Sequence, residues 1–542
     1  MRKRLFAAVV LVSAYLNAQN ASPAPAGTYR IAGVVVDEVT GRTVPMARMA
    51  LLGDVVKAET SRSTFSDIDG RFVFEGLTAG GYGLYAEAAD YPSQGFEEHL
   101  PLMTGVMVGA GVDEQAQHLV FKLHHPCVIS GTVTDEANEP VRDADVLLFF
   151  RSPITLDQVR PIRSIKTDDL GRYRFPVPFN GELFVAVSAQ PWYAKVDWSS
   201  TLAGPYMRNH PSNRELDVAY PLTYYPGVTD SAEATPIPIH RGEQVTADIV
   251  LHPEPALKLT LLRKAGGESP RPSEKLMQPT FGENEIPIKT SPIYGGRGEG
   301  PMFGGIAPGR YLLRSHSEPQ GEQKGESLDH VRELYLSSDT SIDPDSHELS
   351  GLATITGKVE DRKASLDKLY YVFIFGTSGG RRRLARIDDD GNFKFDGVPP
   401  GDYDLLVDAS KEFYVEHVRS GNVTTQHSFT VVPSLPVTLS VSFKKGIAHV
   451  AGNVSFGGKP LSGVLIMLAP VKEQSPDLLR VDQSNLDGSF ELKNVIPGDY
   501  LVYAVRDGFD MNRKTLQEKY RARAVFVHIG PSDDVKLKVE AQ

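Results

Sequence analysis

A pattern that this 542-residue chain repeats limits its fold more than anything else in the sequence. Asp69-Gly70-Arg71-Phe72-Val73-Phe74 leads to Leu77, Gly80 and Tyr82. Gly171 leads in the same way to Tyr173, Phe175, Gly181 and Leu183. Gly391 leads to Phe393, Phe395, Val398, Gly401 and Tyr403, and Gly488 to Phe490, Leu492, Val495, Gly498 and Tyr500. Counted from the first glycine, apolar residues fall at +2 and +4, glycine at +10, and Tyr or Leu at +12. A degenerate copy keeps Phe303, Ile306, Gly309 and Tyr311, with its turn displaced to Gly298-Glu299-Gly300. Each clear copy has an upstream Gly-x-Val, at Gly33, Gly131, Gly357 and Gly452. The first pair are 98 residues apart and the last pair 95, and the middle gap of 226 leaves room for two units. A fixed period of this kind is the mark of a repeated structural unit, and the chain reads as five units of about 100 residues.

The frame has the physics of a β-hairpin. Asp69-Gly70, Asp390-Gly391 and Asp487-Gly488 supply the positive-φ residues that a tight turn requires. The residues that follow alternate, with Asn392 and Lys394 polar and Phe393 and Phe395 apolar. That is the period of a half-buried strand. Pro400-Gly401-Asp402 and Pro497-Gly498-Asp499 make a second turn before another strand. Turns every 8–12 residues point to sandwiches. Long helical periodicity is absent, and Lys514 to Arg521 is the one stretch that reads as a short helix. The expected fold is all-β, a tandem array of about five antiparallel β-sandwich modules. Gly70, Gly171, Gly391 and Gly488 are its first-turn glycines, and Gly80, Gly401 and Gly498 belong to the second turn.

Ile129-Ser130-Gly131-Thr132-Val133-Thr134-Asp135, followed by Pro140-Val141-Arg142-Asp143-Ala144-Asp145-Val146, resembles the carboxypeptidase regulatory-like domain. So does the Asp-Gly-x-Phe-x-Phe and Pro-Gly-x-Tyr half of each unit. The resemblance implies a transthyretin-like (prealbumin-like) sandwich of about seven strands, grouped with starch-binding-like and carbohydrate-binding-like folds. It implies domains at 27–124, 125–254, 255–350, 351–445 and 446–542. The third unit departs from the pattern, because it lacks both the Gly-x-Val start and the Asp-Gly turn. In metallocarboxypeptidases this module follows a catalytic domain, and no such domain is recognisable here.

Targeting and charge narrow the class further. Arg2, Lys3 and Arg4 precede a 12-residue apolar run, Leu5 to Leu16, and Ala18 is a cleavage point before Gln19. This is the layout of a secretory signal peptide at 1–18. The run is shorter than the ~20 residues that span a bilayer, and no second run of spanning length exists. The expected location is therefore exported: periplasmic, cell-surface or extracellular. A net charge of −11 makes nucleic acid an unlikely partner. A single cysteine excludes an intramolecular disulfide and a Cys-based zinc cage, so each unit must be held by its own core.

Several motifs look chemical when taken singly. His240-Arg241-Gly242-Glu243 and His330-Val331-Arg332-Glu333 match His-x-x-Glu but lie inside the β frame. Gly376-Thr377-Ser378-Gly379-Gly380 matches a nucleophile elbow, which needs a following helix, whereas Arg381-Arg382-Arg383 and a hairpin follow. Asp67-Ile68-Asp69-Gly70 and Asp388-Asp389-Asp390-Gly391 open like a calcium loop but lack the closing Glu. His124 and His125 are neighbours in a strand context and point to opposite faces, and Cys127 reads as a small hydrophobe. The expectation is no catalytic residue, no metal and no cofactor.

The aromatic stretch 192–225 remains. It holds both tryptophans of the chain, Trp192 and Trp198, with Tyr193, Tyr206, Tyr220, Tyr224 and Tyr225. Aromatic faces stack on sugars and anchor protein partners, but rings in a long insertion can equally form a satellite core. The leading reading is an exported, non-enzymatic binding protein of the cell envelope. Trp192, Tyr193, Trp198, Tyr206, Tyr224 and Tyr225 are its candidate ligand surface, and a polysaccharide or an envelope protein its partner. The other reading is a spacer, scaffold or adhesion array without a small ligand.

Overall fold

In the computed structural model the two halves of the frame meet in one sheet. The Gly-x-Val strand pairs antiparallel with the strand after the Asp-Gly turn. These pairs are Tyr29–Asp37 with Arg71–Leu77, Cys127–Thr134 with Arg172–Val177, Ala353–Val359 with Asn392–Val398, and Ala448–Phe456 with Ser489–Val495. Unit 3 does the same with Leu257–Leu261 and Pro301–Ile306. The structure describes residues 27–53, 61–99, 105–111, 114–151, 159–194, 214–262, 273–281, 284–288, 293–294, 301–317, 328–343, 353–360, 371–376, 383–407, 413–433, 435–471, 478–506 and 513–542.

A late strand of each unit joins the same sheet beside the Gly-x-Val strand, but parallel to it. These strands are Leu119–Leu123, Gln244–Thr246, Thr340–Ile342, Val437–Lys445 and Asp534–Glu540. Each sandwich therefore has a parallel pairing that hairpin reasoning does not anticipate (in unit 2 Ile249–Val250 adds a second), because the paired strands are not joined by a turn. This pairing explains the glycine of Gly-x-Val. A Cβ at Gly33, Gly131 or Gly452 would lie 2.2–2.4 Å from the carbonyl oxygen of Leu119, Ala247 or Leu537 in that neighbouring chain segment.

The facing sheet starts at the second-turn glycines. Gly80–Ala88, Gly181–Ser188, Gly309–Ser317, Gly401–Val407 and Gly498–Val505 each pair antiparallel with an earlier strand of their own unit. Between the two sheets lie five separate cores, within 31–123, 127–251, 257–342, 353–441 and 448–541. The +2 and +4 side chains of the frame are buried in them, as period-two alternation requires. The protein is an all-β tandem array of sandwiches. The short helix is Arg513–Tyr520, which buries Leu516 beside Leu465, Met467 and Tyr503. No helix among the described residues is long and apolar enough to cross a membrane.

The frame's polar residues serve the same sandwiches. Gly70, Gly171, Gly391 and Gly488 have φ of 75°, 69°, 83° and 78°, where a β-branched residue is strained. Asp67, Asp168 and Asp388 each cap their turn: one carboxylate oxygen accepts two backbone N–H groups at 2.7–3.0 Å. At +12, Tyr82, Tyr311, Tyr403 and Tyr500 donate to the carbonyl four residues back, at 2.7–3.0 Å. Ser66, Thr167 and Ser484 are a further repeated device. Each buried hydroxyl donates to a backbone carbonyl (Val44, Val141, Leu461) and accepts a backbone N–H (Ala47, Ala144, Val464). The backbone groups at 44–47, 141–144 and 461–464 are thereby satisfied inside the sandwich.

Candidate functional site

The aromatic stretch of unit 2 divides into two environments. Tyr224 is only 2% exposed and lies in a satellite core with Phe149, Phe184, Leu222 and Phe281. Its ring centroid is 5.3 Å from that of Phe281, which comes from unit 3. Tyr225 packs against the main core of unit 2, and Tyr220 is buried in it. A ring closed on all sides has no face left for a sugar, so Tyr220 and Tyr224 act in packing, while Tyr225 is half-buried against the core. The reason is burial: an insertion rich in rings gains more by covering apolar strand surface than by standing in water.

Trp192 is the opposite case, 83% exposed. Its indole stands edge-on to Tyr193, with ring centroids 5.8 Å apart. The Tyr193 hydroxyl donates to Glu136, and the Tyr220 hydroxyl donates to the other carboxylate oxygen at 3.2 Å. Burial and this acceptor push the Tyr193 hydroxyl up to about 12. Burial alone would raise the Glu136 carboxyl, but the two phenols hold it below its ordinary value. An exposed indole beside a fixed carboxylate can offer both a stacking face and an acceptor. Trp198 and Tyr206 lie outside the described residues.

The chemical-looking motifs are absorbed elsewhere. Asp67 and Asp388 are the turn caps described above. Glu243 accepts the backbone N–H of His240 at 2.9 Å, capping its own turn. Ser378 lies outside the described residues. His124 and His125 face different acids: His124 pairs with Glu38, and His125 Nε2 lies 2.8 Å from Asp37. Hydrogen bonds from Thr40 and Tyr91, with the His125 charge, hold Asp37 well below the usual carboxylate range. Burial, then the Arg241 charge, pushes His124 down. Cys127 is buried, and its thiol donates to the Phe179 carbonyl at 3.3 Å. Among the described residues, no three His, Cys, Asp or Glu side chains gather as a metal site would need.

What the structure does gather is side chains at the joints between units. Arg241 of unit 2 reaches into unit 1, where it donates to the Glu98 carbonyl at 3.0 Å and lies 3.4 Å from His124. Phe281 of unit 3 is inserted among Phe149, Phe184 and Tyr224 of unit 2, and Asn284 donates to the Val159 carbonyl at 2.6 Å. Strand Leu328–Leu336 of unit 3 lies against Asn392–Val398 of unit 4. Units 4 and 5 line a half-open pocket of about 110 Å³. Val407, Phe413 and His427 line it from one side, and Ile447, Leu478 and Arg480 from the other. His427 is buried there, with Nε2 3.7 Å from Asp404. Unit 5 also touches unit 1: Gln483 donates to the Glu97 carbonyl at 2.5 Å and Ser462 to the Glu97 carboxylate at 3.0 Å. Sequence reasoning missed these joints because each brings together residues of different units that share no motif.

No family model matches the chain, and no curated protein matches it in sequence. Among solved structures, a streptococcal ancillary pilin aligns with 53% of this chain and 99% of its own, at 11% identity and a TM-score of 0.18. The Bacillus anthracis TIE protein aligns with 92% of this chain and 69% of its own, at 10% identity and a TM-score of 0.15. The shaft pilin SpaA of Lactobacillus rhamnosus GG aligns with 42% of this chain and 98% of its own, at 7% identity and a TM-score of 0.19. Likenesses this distant say nothing about what the chain does.

Proposed function

We propose that this protein is an exported, non-catalytic scaffold of the cell envelope, whose five sandwiches present surfaces to protein partners. The observation that supports it is where the polar and aromatic residues are used. Turn acids, buried hydroxyls, several histidines and three of the five described rings of the aromatic stretch (Tyr220, Tyr224 and Tyr225) hold units or joints together. The basic and apolar segment at 1–18 supports export.

A second reading rests on Trp192. An indole so exposed beside Tyr193 and Glu136 suits stacking on a sugar ring, which is worth about 1 kcal/mol or more per ring. A glycan array on the purified protein and its Trp192→Ala variant separates the two. The scaffold reading expects no glycan signal that depends on Trp192. A polysaccharide that binds wild type and loses at least about tenfold in affinity on Trp192→Ala would replace it with the binding reading.

A further inference from the structure

The four clear copies of the hairpin are internal controls for one another. At two residues before the turn glycine stand Ile68, Asp169, Asp389 and Leu486. The first three are exposed, Ile68 to 82%, whereas Leu486 packs against the core of unit 1. At five residues before it stand Phe65, Lys166, Arg386 and Gln483. Again the first three are exposed, and Gln483 alone is buried, at 3%. One hairpin face that is solvated in three units is covered in unit 5, and unit 1 is what covers it. The Leu486 N–H donates to the Met107 carbonyl at 3.2 Å, and Gly463 faces the Glu97 carboxylate and the His99 ring.

We infer that the array is closed: unit 5 docks its hairpin tip on unit 1, and the five sandwiches form a ring rather than a thread. The docking surface is the segment Gly95–His99 with Met107, and it joins three units. Glu97 receives unit 5 through Gln483 and Ser462, and the next residue, Glu98, receives Arg241 of unit 2. With the other three joints packed as described, each unit has two neighbours. The occupant of the surface is unit 5 of the same chain, because Leu486 packs on the unit 1 core while Gln483 and the Leu486 N–H meet backbone carbonyls and Ser462 meets the Glu97 carboxylate, a match that needs fixed geometry. The inference does not rest on the scaffold reading. A closed array can hold a sugar site or a protein surface equally well.

The test is a cross-link in the full chain. A backbone hydrogen bond keeps Met107 and Leu486 within roughly the 4.4–6.8 Å Cα separation that a disulfide spans. The native Cys127 is buried and will not compete. Met107→Cys/Leu486→Cys, oxidised at low protein concentration, should run as a cross-linked monomer on a non-reducing gel in most of the molecules. Glu97→Cys/Ser462→Cys joined by a short bismaleimide should do the same, and keeps the test valid if the first pair misfolds. Cross-linking only between two chains, or none in either folded variant, would overturn closure.

Discussion

Units 2 and 5 carry the same frame and use their outer surfaces in opposite ways. In unit 5 a bare hairpin face is docked, with Gln483 and Leu486 covered by unit 1. In unit 2 the matching residues, Lys166 and Asp169, are solvated. There an inserted segment instead builds a satellite core on the facing sheet, and unit 3 completes it with Phe281. The frame therefore fixes each sandwich, and whatever is added or covered outside it fixes the neighbours. The largest energetic differences between units should lie at the joints.

The biggest expected effect is at the joint of units 2 and 3. Phe281 is nearly buried among three aromatic rings. Phe281→Ala should cost about 3–5 kcal/mol, read as a lower urea midpoint for those two units. An unchanged midpoint would mean the satellite core belongs to unit 2 alone. Next comes the frame itself. A Cβ at Gly488 would lie 2.6 Å from the Val454 carbonyl oxygen, at a φ of 78°. Gly488→Val should destabilise unit 5 by about 1–3 kcal/mol. Hydrogen exchange should show the loss in unit 5 and in the unit 1 segment it covers, and not in unit 4 strands remote from the joint. Ser484→Ala removes a hydroxyl that serves Val464 and Leu461 and leaves both backbone groups buried. It should cost about 1–2 kcal/mol, and Ser66→Ala should cost a similar amount in unit 1. Unequal losses would show that docking, and not the frame, sets the strength of that device.

The smallest effect is a pH dependence special to unit 5. His449 is hydrogen-bonded to Asp534 and to Glu491, and these acids raise its proton affinity above the ordinary value of 6.5. A histidine raised in the folded state adds stability that is complete below about 6.5 and is lost as pH rises through the higher folded value. Lys493 and Lys536 nearby weaken the field of the two acids. The melting temperature of unit 5 should therefore fall slightly between about pH 6 and 8, and His449→Asn should abolish that slope. An identical slope in the variant would assign it to another group.

The sandwich was legible in the sequence because its signals are local. Asp-Gly turns, alternate apolar residues and Gly-x-Val all act within a dozen residues, and the structure shows why each is needed. The parallel closing strand was not legible, since strands such as Gln244–Thr246 have only three residues and no turn joins them to their partner. The buried hydroxyls were hidden for a similar reason: Ser66 and Ser484 look like ordinary turn residues, and their backbone partners lie about 20 positions earlier in the chain. In the aromatic stretch, composition could mark the rings but could not sort them. Burying Tyr224 depends on Phe281, 57 positions later in the chain, while Trp192 stays in water. The docked face of unit 5 is likewise invisible in unit 5 alone, because Leu486 and Ile68 are equivalent by pattern and differ only in what lies opposite.

Small-angle scattering of the whole protein tests most directly whether five joints hold five sandwiches in one body. Strands of nine residues make each unit about 30 Å long. A closed set of five should then give a radius of gyration of roughly 28 Å, and an extended set roughly 45 Å, by the geometry of units of that size. A value near the smaller figure is the predicted result. A value near the larger, unchanged by Leu486→Asp, would contradict the docked array and leave five independent beads.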